Sequence, residues 1–152
     1  DVEKVSAMIT RTGDFMLDVP SAITWKLRGR DCLVVFDFGY AERMPIRGRY
    51  YPLDDFFEIQ GSEGVIWVTR CTAEMLDLPP VVLYRDGEST AFQVPSDWAD
   101  GFKGAARNFV DCLIADEQPD MDVAFSTRVL KAALAAYRAS ETDTAVDPSS
   151  IT

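Results

Sequence analysis

The spacing of hydrophobic positions changes once along the chain. From Val2 to about Val94, short alternating runs separated by turn residues carry the two-residue period of β-strands; from Ser96 to about Ser140 the period is helical. Lys4 to Thr10 places Val5, Ala7 and Ile9 on one face, and Ala22 to Arg28 sets Ile23, Trp25 and Leu27 against Thr24, Lys26 and Arg28. Cys32 to Tyr40, preceded by a turn at Asp31, is more continuously apolar and predicts a central strand covered on both faces. Phe56 to Gln60 and Gly64 to Arg70 form a hairpin around Gly61-Ser62-Glu63-Gly64, where one or both glycines would supply a positive φ. Val81 to Tyr84 and Thr90 to Val94 form another around Arg85-Asp86-Gly87-Glu88, which brings the expected count to seven strands.

Ser96 or Asp97 can cap a helix whose residues Trp98, Phe102, Ala105, Phe109, Val110 and Leu113 share one face. Asp120 or Asp122 can cap a second, in which Ala124 to Tyr137 is almost continuously apolar or small, with Arg128, Lys131 and Arg138 on one side. This composition predicts a helix buried around most of its circumference. Strands first and helices second is the order of an α+β fold: an open, mostly antiparallel sheet with helices packed on one face. Residues 1–140 are expected as a single domain and 141–152 (TDTAVDPSSIT after Glu141) as a weakly structured C-terminal tail.

Composition narrows the chemistry. In 152 residues there is no histidine, so His-based nucleophile activation and His-ligated metal sites are excluded. A formal net charge of -10 argues against nucleic acid as a partner, and no apolar run approaches the ~20 residues of a membrane helix. Cys32, Cys71 and Cys112 lie far apart in apolar contexts and read as free, buried thiols of a reducing, cytoplasmic compartment. They lack the CxxC spacing of a metal site, and no two glycines are separated by a single residue, so no dinucleotide-cradling loop is present. The start at Asp1 without Met is expected for a piece of a longer protein.

One basic island stands out in this acidic chain. Lys26, Arg28, Arg30, Arg43, Arg47 and Arg49 face only Asp31, Asp37 and Glu42 between positions 26 and 49, and Tyr50 and Tyr51 follow. Arginine forks beside tyrosine hydroxyls suit the hydroxyls and carboxylates of a small polar ligand; answering acidic neighbours on the surface is the plainer role for the same arginines. Asp37, on the most apolar strand, is either buried with an arginine partner or faces an interface.

The succession of a strand beginning VEKVSA, a hairpin at IQGSEGVIWV, a helix with GFKGAARNFVDCLIADEQP and a closing helix VLKAALAAYRASETDTAV resembles the C-terminal domain of the Gfo/Idh/MocA (glucose-fructose oxidoreductase / inositol dehydrogenase) family. The resemblance implies an NAD(P)-dependent oxidoreductase acting on a sugar, polyol or related small molecule. This chain would be its substrate-binding and oligomerisation domain, forming a homodimer or higher homo-oligomer through an open sheet face. NAD or NADP would be bound by an N-terminal Rossmann domain absent from the chain, as are the family's Glu-Lys-Pro segment and Asp/His motif. No catalytic, cofactor-binding or metal-ligating residue carries over, and the chain by itself is expected to be inactive. The resemblance makes Arg43, Arg49, Tyr50 and Tyr51 the best substrate contacts, with Trp25 also a candidate against a core-packing role. A stand-alone, non-catalytic binding or dimerisation module is the alternative.

Overall fold

The computed structural model describes residues 1–11, 18–39, 45, 55–69 and 77–152. The fold is α+β as expected; among the described residues every strand pair is antiparallel, and the strands lie in a three-stranded and a four-stranded sheet. It divides into two compact units, one of residues 1–42 with 120–152 and one of residues 43–119.

In the first unit, β1 (Val2–Ile9), β2 (Ser21–Leu27) and β3 (Leu33–Phe38) lie in the order β1-β2-β3. Cross-strand register sets Val5 beside Trp25 and Trp25 beside Val34, and Ala7 beside Ile23 and Ile23 beside Phe36, so one face is continuously apolar. Helix α2 (Val123–Thr142) lies against β1 with Ala132, Ala135, Ala136 and Ala139, spaced i, i+3, i+4 and i+7. Asp122 caps it, accepting from the Phe125 N–H at 2.5 Å, and the Ser140 hydroxyl accepts the Ile9 N–H at 2.9 Å to tie the last turn to the end of β1. The small alanines let backbone approach backbone. The helix is therefore buried only along that stripe, and Val123, Leu130 and Leu134 remain exposed, contrary to the burial its composition predicts.

Two further expectations are corrected in this unit. The apolar run at Leu33–Phe38 is an edge strand, and β2 is the central one; Leu33 (67% exposed) and Val35 (70%) face away from α2, as does exposed Asp37. Asp37 is thus not a buried partner of an arginine. The segment after Glu141 is folded. Val146 exchanges two backbone hydrogen bonds with Val5 (2.8 and 2.9 Å), Asp147 caps the short 3-10 turn η1 (Pro148–Ser150), and Ile151 is buried. Val5, Ala135, Ala136, Ala139, Val146 and Ile151 form the core, so the last residues close it rather than trail from it.

In the second unit, β4 (Phe57–Gly61), β5 (Gly64–Val68), β6 (Val81–Arg85) and β7 (Glu88–Phe92) form a meander in chain order. The β6–β7 turn has the expected chemistry, with Asp86 at φ 54° and Gly87 at φ 82°. At the β4–β5 turn neither glycine has a positive φ; Gly64 is needed because a Cβ there would meet the Tyr84 carbonyl oxygen. Helix α1 (Trp98–Ala115) is capped by Asp97, which accepts the Ala99 N–H at 2.8 Å, and Trp98 packs edge-on to Phe102. No described residue of this unit is buried, and on α1 Phe102 (61%) and Leu113 (71%) are largely exposed. Seven strands are present among the described residues. Cys32 is exposed and Cys112 half-buried, against the expectation of buried thiols, because Cys32 precedes an edge strand; Cys71 lies outside the described residues.

Candidate functional site

Of the side chains expected to contact substrate, Arg43, Arg49, Tyr50 and Tyr51 lie outside the described residues. Trp25 is described, and its surroundings combine both of its expected roles. Its ring packs against the core and meets Phe36 edge-on at 4.6 Å, while it also lines an open groove of about 820 Å³ in the first unit. The Trp25 Nε1–H is buried and has no hydrogen-bond partner, unlike other buried side-chain polar atoms among the described residues.

Three stretches of chain build the groove. The end of β2 contributes Trp25, Leu27 and Arg28; the first turns of α2 contribute residues spaced i, i+3, i+4 and i+7, among them Ala124, Arg128 and Lys131; η1 contributes Pro148 and Ser149. Its walls are mainly hydrocarbon and its charges mainly positive. Arg28 pairs with Asp147 at 3.0 Å, and Arg128 approaches Asp1 at 3.3 Å with its guanidinium 5.8 Å from the Phe125 ring centre. Lys131 has no ion-pair partner among the described residues. The Ser149 backbone N–H and side chain, then the Arg28 guanidinium, hold the Asp147 carboxyl below its ordinary range.

Arg28 and Lys26, which is 3.3 Å from Glu3, fill the plainer role considered for the basic island. Arg128, Lys131 and the tail had no part in the expected site. The helix-face spacing of the two cations was legible, as was Asp147-Pro148 as an N-cap followed by proline at the first helical position. What joins them to Trp25 is tertiary contact across more than half the chain.

Two other polar clusters are ties within the fold. Tyr137 donates its hydroxyl to Asp18 at 2.6 Å, and the Arg11 Nε–H donates to the same carboxylate at 2.6 Å. The tyrosine hydrogen bond, then Arg11, lowers the Asp18 pKa, and the same bond raises that of Tyr137 and keeps the phenol protonated. Glu58 accepts from Trp67 Nε1 at 2.5 Å and Gln60 Nε2 at 2.6 Å, which holds its carboxyl below the usual range. Among the described residues no three His, Cys, Asp or Glu side chains are gathered as metal ligands, and no helix is long and apolar enough to cross a membrane.

No protein-family model and no curated protein matches the chain. Among solved structures, an oxidoreductase from Agrobacterium radiobacter in complex with NAD+, L-tartaric acid and magnesium matches 100% of this chain and 45% of its own, with a TM-score of 0.75 and 13% identity. An NAD-binding protein from Listeria innocua matches 96% of this chain and 41% of its own, with a TM-score of 0.55 and 18% identity. The chain shares the fold of part of each of these two proteins and spans less than half the length of either.

Proposed function

We propose that the chain is the C-terminal substrate-binding and oligomerisation domain of a cytoplasmic NAD(P)-dependent oxidoreductase of the Gfo/Idh/MocA type, acting on a sugar, polyol or related small molecule. The observation that carries this reading is the match of the whole chain to less than half of an oxidoreductase. The L-tartaric acid in that neighbour is itself a small polyhydroxylated acid, in keeping with the substrate class. The described residues do not fit NAD. Every strand pair is antiparallel, and both long helices carry an aspartate at the N-cap, where a pyrophosphate would need free N–H groups. These features support the reading in which NAD or NADP is bound by an N-terminal domain outside this chain. Arg43, Arg49, Tyr50 and Tyr51 are the proposed substrate contacts, with Trp25 beside them in role.

Self-association is supported by the sheet of the second unit. Register places Phe57, Val68, Val81 and Phe92 in one row and Ile59, Ile66 and Leu83 in the next, all on one face, with Phe57 and Ile59 more than half exposed. Monomers seldom leave such a face in water, and a symmetric dimer is the commonest cover.

In the complete protein, Arg49→Ala should weaken transition-state binding by about 1–3 kcal/mol in kcat/KM, the worth of a charged hydrogen bond, with folding nearly untouched. Unchanged kinetics for both Arg49→Ala and Arg43→Ala would return these arginines to the surface. Calorimetry of the chain with NAD and NADP should show no tight binding, and a low-micromolar dissociation constant would overturn the assignment of the nucleotide to another domain. Sedimentation equilibrium at micromolar concentration should give at least twice the monomer mass; a clean monomer would remove the oligomerisation role.

A further inference from the structure

We propose that the groove of the first unit is a binding site for a small amphipathic carboxylate, an aryl or alkyl acid whose hydrocarbon body lies between β2 and α2 and whose carboxylate meets Lys131. The site stands on the first unit by itself, so its failure would leave the oxidoreductase reading intact.

Size, lining and charge agree on this class. A volume of about 820 Å³ falls within the range of small-molecule sites, and Val2, Leu27, Val34 and Phe125 provide a hydrocarbon wall. Against that wall stand Arg28, Arg128 and Lys131 and one lining carboxylate, Asp1, in a chain whose formal net charge is -10. A cationic groove on an acidic protein selects against ammonium ligands. The three cations are not equivalent. Arg28 is held by Asp147, and Arg128 is shared between Asp1 and the Phe125 ring, whereas Lys131 has no ion-pair partner among the described residues. One available ammonium suits a single carboxylate better than a phosphate, which is matched by several forks together.

The Trp25 ring stands against the same groove, so its resonances report on an occupant.

The test is titration of the chain with three probes that share one body: 4-phenylbutyrate, 4-phenylbutan-1-ol and 4-phenylbutylammonium. Calorimetry should give a dissociation constant below about 1 mM for the carboxylate. The alcohol should bind about 10-fold more weakly, as expected on losing a charge-assisted hydrogen bond, and the ammonium should not bind measurably. Lys131→Gln should weaken the carboxylate about 10-fold and leave the alcohol unchanged. The Trp25 indole resonance of the unaltered chain should move on adding the carboxylate, because its ring lines the groove, and stay still with the ammonium. Equal affinity for all three probes, indifference to Lys131→Gln, an unmoved indole resonance or no binding would each overturn the proposal.

Discussion

Replacing Ile151 by alanine separates a folded C-terminal segment from a loose one. Ile151 is the last residue but one of the sequence, yet it is only 9% exposed and packs in the cluster of Val5, Ala135, Ala136, Ala139 and Val146. The substitution removes three carbons; at about 0.8 kcal/mol per buried CH₂ that is about 2.4 kcal/mol. An unfolded chain already shields part of this surface, which reduces the transfer term to about 1.5–2.2 kcal/mol. A short turn near a chain end can collapse onto its alanine neighbours, so little cavity energy is added, and the total should be about 2 kcal/mol, the low end for Ile→Ala in a core. Because the chain divides into two units, the local equilibrium is the quantity to read. Val5 and Val146 donate their amides to each other's carbonyls, so native-state hydrogen exchange at these two amides reports opening of this contact. Both should exchange about 30-fold faster in Ile151→Ala, while Thr152→Ala, on an exposed side chain, should change them by less than about 0.5 kcal/mol. Acceleration below about twofold in Ile151→Ala would mean that the tail does not contribute to the core, and the derivation would fail.

Gly64→Ala should lower the melting temperature, with a cost of about 1–3 kcal/mol for forcing a Cβ against the Tyr84 carbonyl. Gly101→Ala, in α1 with open space around its Cα, should raise stability by about 0.5–1 kcal/mol; the same sign for both would refute the packing at β5–β6. The Asp147 carboxyl, held down by Ser149 and Arg28, contributes stability that is present above the ordinary carboxylate pKa and lost as pH falls through its lower folded value. Carboxyl NMR should therefore find it titrating below the ordinary aspartate range, and Asp147→Asn should flatten the acid limb of the stability curve, whereas titration at the ordinary value would remove the cap and pair. Tyr137→Phe should raise the Asp18 pKa toward its ordinary value by removing its strongest hydrogen bond, which the same NMR titration checks.

What could be read from the sequence was local. Asp86-Gly87 specifies its turn through two positive φ angles, Asp97 and Asp122 cap through residues two or three positions on, and short β-rich runs bounded by turn residues mark the seven described strands within a residue or two. What could not be read depends on distant partners. A continuous apolar run suits a central strand, but nothing within Leu33–Phe38 states that it has a neighbour on one side only. In α2 the alanines, not the leucines, meet β1, because closeness to the sheet rewards small side chains that carry little hydrophobic signal. The tail is short and polar on average; its Val146 and Ile151 acquire meaning only beside Val5. Trp25 was recognisable as a candidate from its strand, whereas Arg128, Lys131 and Ser149 reach the same groove from more than a hundred residues away.

The two units also differ in how their apolar surface is satisfied. The first closes its core with its own last residues. The second orders four strands and an 18-residue helix without a buried residue among those described. Ordering a residue costs about 1–2 kcal/mol of backbone entropy, which hydrophobic burial must offset. Hydrogen bonding within a meander contributes too little net free energy per bond to do so by itself. Phe57 and Ile59 on one face of the sheet, and Phe102 and Leu113 on α1, are therefore apolar surfaces whose burial would add stability to the second unit. A second copy would cover such a surface, as would the remainder of a longer protein, and neighbours more than twice the length of this chain leave room for both. If a second copy is the cover, association and stability of the second unit are one equilibrium, and diluting the protein should loosen β4–β7 before it affects the contact between Val5 and Val146.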